Sequence, residues 1–188
     1  MELPTLPVPK DRNLYFSEQV TQKSIGDLVK SIIDINDNDN LLEKIYKIHN
    51  IKYERKPIKI YIDSYGGYVY QCFGLLSIME RSATPIHTYA TGAAMSCGFL
   101  ILISGHKRFG YKLCTPMYHQ VSSGTKGKVQ DIKEDFIETK RLQSIIESIT
   151  LKKTKIKKDK LQKIRKQKKD WFLTAEESLK YGVIDEII

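Results

Sequence analysis

Two proline-led alternating runs, each closed by glycine and followed by apolar residues at helical spacing, restrict this chain to very few architectures. PIKIYID (57–63) runs into SYGG (64–67), after which Val69, Cys72, Phe73, Leu76 and Met79 recur at the period of a helix. PIHTYATG (85–92) then feeds the apolar stretch GAAMSCGFLILISG (92–105), which reads as a buried helix. Strands alternating with helices bury both sets of apolar faces when the strands lie parallel in one sheet and the crossovers are right-handed. The expectation is an α/β fold.

The rest of the chain fits this scheme. NLYFSEQV (13–20) reads as a first strand. Ile25, Leu28, Val29, Ile32 and Ile33 follow at helical spacing, the cluster NDNDN (36–40) breaks the pattern as a polar turn, and Leu41, Leu42, Ile45 and Tyr46 resume it as a second helix. KRFGYK (107–112) reads as a turn and PMYHQV (116–121) as a strand, followed by the loop SSGTKGK and a long helix over about 129–151. Thr174 and Glu177 have the spacing of a capping box for a short helix stopped by Gly182, and VIDEII closes the chain as a strand. Residues 1–12, with prolines at 4, 7 and 9, read as an irregular arm, and 13–188 as a single domain.

The formal charge of +9 is local. Between Lys152 and Lys169 eleven basic residues meet one acidic residue, which leaves 20 basic against 21 acidic elsewhere. Within that run Ile156, Leu161 and Ile164 form a narrow apolar stripe, so it reads as a solvated helix, and nucleic acid is not an expected partner. Cys72, Cys97 and Cys114 show no CxxC spacing, which favours a reducing compartment and suggests no metal site. The start MELPTLPVPKDRN lacks the basic and apolar regions of a secretory signal, and the apolar run near 93–103 is too short to span a bilayer. A cytoplasmic protein without a membrane partner, or one of an organelle stroma, is expected.

Ser96 is the one hydroxyl in the middle of the apolar stretch. A serine in a buried helix ordinarily bonds back to a carbonyl one turn earlier. The alternative is chemical, because this serine lies where a strand runs into a helix. There the N–H of Cys97 and the glycine turn at 66–67 could face a developing oxyanion. A general base would come from His49, His87, His106 or His119, of which His119 precedes a glycine-rich loop.

The blocks YIDSYGG, ATGAAMSCGFLI, MYHQ and KDWFLTAEESLKYGVIDEI occur in that order. Together they resemble the proteolytic subunits of the Clp protease family over residues 13–188. The resemblance implies a crotonase-like α/β fold of repeated β-β-α units, with the helix at 129–151 as a protruding handle. It implies Ser96 as nucleophile, His119 as base, Asp170 as orienting acid and the backbone N–H groups of Gly67 and Cys97 as oxyanion donors, with no cofactor. The activity implied is ATP-independent hydrolysis of peptides by a serine endopeptidase. Its partners would be further copies of itself in stacked heptameric rings, a tetradecamer, and an AAA+ unfoldase that delivers unfolded proteins. Tyr65 stands where the family has a proline, residues 36–56 are longer than usual and the arm is shorter. Two alternatives are a crotonase-like acyl-CoA enzyme and a non-catalytic ring subunit.

Overall fold

The computed structural model describes residues 11–188. Five strands, β1 (Asn13–Phe16), β2 (Ile58–Ser64), β3 (Ile86–Met95), β4 (Lys107–Gly110) and β7 (Glu186–Ile187), lie side by side in the order β1-β2-β3-β4-β7. All four pairings along this path are parallel. β5 (Thr115–Tyr118) leaves the path to pair parallel with the end of β3 and antiparallel with β6 (Trp171–Phe172). The helices are α1 (Gln22–Ile48), α2 (Val69–Arg81), α3 (Cys97–Ile103), α4 (Val129–Lys153), α5 (Lys158–Gln167) and α6 (Ala175–Lys180). The order alternates strand and helix as far as α3, and two strands precede a helix once, at β4-β5-α4.

Alternation within the strands places Ile58, Ile60, Ile62, Ile86 and Ala90 in the core with Leu75 and Met79 of α2 and the whole of α3. Intervening residues form a stacked row, Tyr15 on Tyr61, Tyr61 on Tyr89 and Tyr89 on Phe109, with ring centroids 5.2, 4.8 and 4.6 Å apart. Among the described residues no helix is long and apolar enough to cross a membrane. Of the arm expected at 1–12, residues 1–10 lie outside the described residues, and Arg12 is paired with Asp39.

Three local expectations are corrected. NDNDN is not a turn: α1 runs unbroken from Gln22 to Ile48. Asp39 lies on the same buried stripe as Ile32, Ile35 and Leu42, where it accepts from Arg12, from Tyr53 Oη at 2.7 Å and from Thr84 Oγ1 at 2.6 Å. Asn36 Oδ1 likewise accepts from the Thr84 N–H at 3.1 Å, so Asn36 and Asp39 find partners without leaving the helix, although the buried Asn38 Nδ2 has none among the described residues. KRFG is strand β4, whose charges find partners on the neighbouring strand's side: Arg108 pairs with Asp185 and Lys107 with Glu186. Finally, residues 92–95 extend β3 and only 97–103 are helical, because Ala93, Ala94 and Met95 pair with Thr115, Pro116 and Met117. The lysine-rich run breaks at 154–157 before α5, and its expected stripe of Ile156, Leu161 and Ile164 is buried.

Candidate active site

Ser96 is the single residue between β3 and α3. Its φ of 53° and ψ of −117° turn the chain from strand to helix in one step, a conformation that L side chains rarely adopt. The turn is held on both sides. The Ser96 N–H donates to the Met117 carbonyl at 2.9 Å, extending the β3–β5 ladder by one residue. Opposite, Gly66 lies so close that a Cβ there would sit 2.7 Å from Ser96 Cβ and 2.8 Å from the Met95 carbonyl oxygen. Only glycine fits.

The glycine turn is fixed by Val20. Val20 N–H donates to the Gly66 carbonyl at 2.8 Å, and its carbonyl accepts from the Tyr68 N–H at 2.9 Å. This parallel bridge passes over Gly67 and does not use the Gly67 N–H. A Cβ on Gly67 would meet the Val20 carbonyl oxygen at 2.3 Å. Val20 was legible only as the end of a strand; its role in the turn depends on a contact 47 residues along the chain.

Gly67, Ser96, Cys97 and His119 line one cavity of about 110 Å³, whose walls are completed by Val69, Leu100, Val121 and Ile146. His119 is half-buried, immediately after β5. The segment that carries it is anchored from α4. Gln143, which is buried, accepts from the Val121 N–H at 2.8 Å and donates to Glu147 at 2.9 Å and to Tyr118 Oη at 3.4 Å. Arg165 of α5 closes the chain of contacts on Glu147 at 3.0 Å. Burial pushes the Tyr118 hydroxyl up to about 12, so it stays protonated. Sequence reasoning missed Gln143, although a glutamine in register with Leu142, Ile146 and Thr150 on a buried stripe was a signal.

The other histidines lie elsewhere. His106 Nδ1 accepts from the Ile86 N–H at 3.0 Å, His87 packs on Phe109 with centroids 5.8 Å apart, and His49 caps the end of α1. Asp170 is not brought into the cavity. It is exposed between α5 and β6 and borders a separate surface depression with Lys160, Lys163 and Trp171. Neither His119 with Ser96 nor His119 with Asp170 forms a hydrogen bond among the described residues. The β5–β6 register nevertheless pairs Met117 with Phe172 and Tyr118 with Trp171, with His119 the next residue after Tyr118 and Asp170 the next before Trp171.

Acyl transfer needs a nucleophile with a base at hand and backbone donors where negative charge develops. Ser96, His119, Gly67 and Cys97 are residues of the kinds such a reaction uses, and they line one cavity on a parallel α/β sheet. Residues 17–188 match the family Clp protease, and the chain belongs to that family. Over 137 residues it is 34% identical to the ATP-dependent Clp protease proteolytic subunit of Deinococcus radiodurans, a match that covers 71% of this chain and 65% of that protein. It is 30% identical over 135 residues to the ATP-dependent Clp protease proteolytic subunit 2 of Treponema pallidum, covering 71% and 67%. The chain thus spans about two thirds of the length of the curated relatives it matches.

Proposed function

We propose that this chain is a serine endopeptidase in which Ser96 attacks the peptide carbonyl, His119 takes the serine proton and returns it to the leaving amine, and Asp170 orients the imidazole. The Gly67 and Cys97 N–H groups hold the oxyanion. The observation that carries this reading is the shared cavity, lined by a serine on a strained strand–helix junction, a half-buried histidine, Gly67 and Cys97. Its walls of Val69, Leu100, Val121 and Ile146 suit an apolar side chain on the acyl side of the cleaved bond. Hydrolysis itself needs no nucleotide. The family fold, crotonase-like with α4 as the handle, then leads to stacked heptameric rings fed with unfolded chains by an AAA+ unfoldase, in a compartment such as the cytoplasm or an organelle stroma.

An acyl-CoA enzyme or a non-catalytic ring subunit would have no use for a strained serine beside a histidine. A fluorophosphonate probe separates these readings. It labels Ser96 in a peptidase, and the label is absent from Ser96→Ala; a wild-type protein that takes no label at Ser96 overturns the proposal.

A further inference from the structure

Two thiols meet behind the junction residue. Cys97, the first residue of α3, lines the cavity with Ser96, and its thiol donates to the Gly67 carbonyl at 3.3 Å. Cys72, the fourth residue of α2, is fully buried, and its thiol reaches the Cys97 carbonyl at 3.6 Å. The Cys72 sulfur thus packs directly against Cys97. Cys114 is buried apart from them, against Gly110.

We propose that Cys97 and Cys72 form a peroxide-reactive pair, in which Cys97 takes an oxygen from a hydroperoxide and Cys72 resolves it as a disulfide that switches the adjoining site off. The last clause rests on the peptidase reading; the chemistry of the pair does not.

The two sulfurs are unequal in the way this sequence of steps requires. The neighbouring Cys72 side chain lowers the Cys97 thiol, opposed by burial. The Cys97 side chain in turn, with burial, raises Cys72. Cys97 is therefore the better thiolate and the one reached from the cavity, whereas Cys72 is kept protonated and screened. Burial pushes Cys114 up to about 11, which leaves it inert.

In the first step the Cys97 thiolate attacks the outer peroxide oxygen. The O–O bond breaks, Cys97 becomes a sulfenic acid, and the departing oxygen takes a proton and leaves as an alcohol or water. In the second, the Cys72 sulfur attacks the Cys97 sulfur, the Cys72 proton goes to the departing hydroxyl, and water is released. Two thiols lose two electrons and one peroxide gains them. The new bond draws Cys97 toward α2 and off the Gly67 carbonyl, which changes the spacing of the Cys97 and Gly67 N–H groups.

The test treats the reduced full-length protein with hydrogen peroxide and digests it without reductant. The expected result is a linked Cys72–Cys97 peptide, a mass lower by two hydrogens and an unmodified Cys114. Peptide hydrolysis should fall on the order of 100-fold, the scale for losing an oxyanion donor, and dithiothreitol should restore it. In Cys72→Ala, or Cys72→Ser if the alanine variant does not fold, activity before oxidation is unchanged. In either variant no link forms, and excess peroxide carries Cys97 on to a sulfinic acid that dithiothreitol does not reverse. Absence of the linked peptide from the wild type overturns the proposal, as does equally reversible loss in the Cys72 variant. A reduced wild type that cleaves no peptide overturns the peptidase reading instead, and the linked peptide still decides the thiol chemistry.

Discussion

Tyr118 of β5 stands opposite Trp171 of β6 in antiparallel register, the last pair of that ladder, with His119 the next residue after the one and Asp170 the next before the other. Residues directly opposite in an antiparallel pair carry their side chains on the same face at about 5 Å between Cα atoms. His119 and Asp170 therefore lie just beyond the end of this two-strand ladder, the imidazole half-buried and the carboxylate exposed.

Asp170→Asn should therefore lower kcat for a short fluorogenic peptide by about 10⁴-fold, because the amide no longer selects the imidazole tautomer that can accept the serine proton. Thermal stability should stay within about 0.5 kcal/mol of wild type, since Asp170 is exposed. A variant with near wild-type turnover would remove Asp170 from the mechanism.

Ser96 carries backbone strain that glycine would not. A non-glycine residue in such a region costs about 1–3 kcal/mol, and the added chain entropy of glycine takes back about 0.5–1 kcal/mol. Ser96→Gly should therefore be inactive, with a loss on the order of 10⁶ in kcat, yet more stable than wild type by about 1 kcal/mol. Ser96→Ala should be equally inactive without the gain in stability. Denaturant unfolding of the three proteins checks this, and a destabilised glycine variant would contradict the strain argument.

What could be read from the sequence was what neighbours in sequence decide. The run from PIKIYID through SYGG into α2 and the Thr174–Glu177 capping box are local chemistry, and both form as expected. The polar centre of α1 was illegible because its partners are distant: Arg12 lies 27 residues from Asp39 and Thr84 lies 45 away. Strand β4 was hidden for the same reason, its charges being answered by Asp185 and Glu186 at the far end of the chain. At the candidate site, the junction at Ser96 was visible but its positive φ was not. Asp170 stood out from its lysine-rich surroundings only through the resemblance to a family.

Asp39 offers a test of the distant partners. Burial would raise its carboxyl, but hydrogen bonds from Arg12, Thr84 and Tyr53 outweigh that and hold it below its ordinary value. Because the folded-state value lies below the unfolded one, the stabilisation is complete at neutral pH and is lost as pH falls through about 4 and on through the lowered value. Asp39→Asn leaves Arg12 largely buried beside a neutral group and should cost about 3 kcal/mol at pH 7. The gap between the two proteins should narrow as urea unfolding is repeated down to about pH 3. A gap independent of pH would show that the carboxylate charge contributes nothing.

The amino-terminal half of α4 bears on assembly. None of residues 129–141 is buried, and Val129, Ile132 and Phe136, which recur at helical spacing, are 86%, 47% and 61% exposed. Leu142, Ile146 and Thr150, by contrast, seat the other half of the helix on the body of the protein. An exposed apolar stripe on a helix is stable in water when a second copy covers it. Sedimentation of the wild type at micromolar concentration should therefore show a large species. Phe136→Glu places a charge on the stripe without touching the core, so the variant should fold normally and sediment as a smaller species. A wild type that remains monomeric at all salt concentrations, or an assembly indifferent to Phe136→Glu, would rule out this face of α4 as the contact between copies.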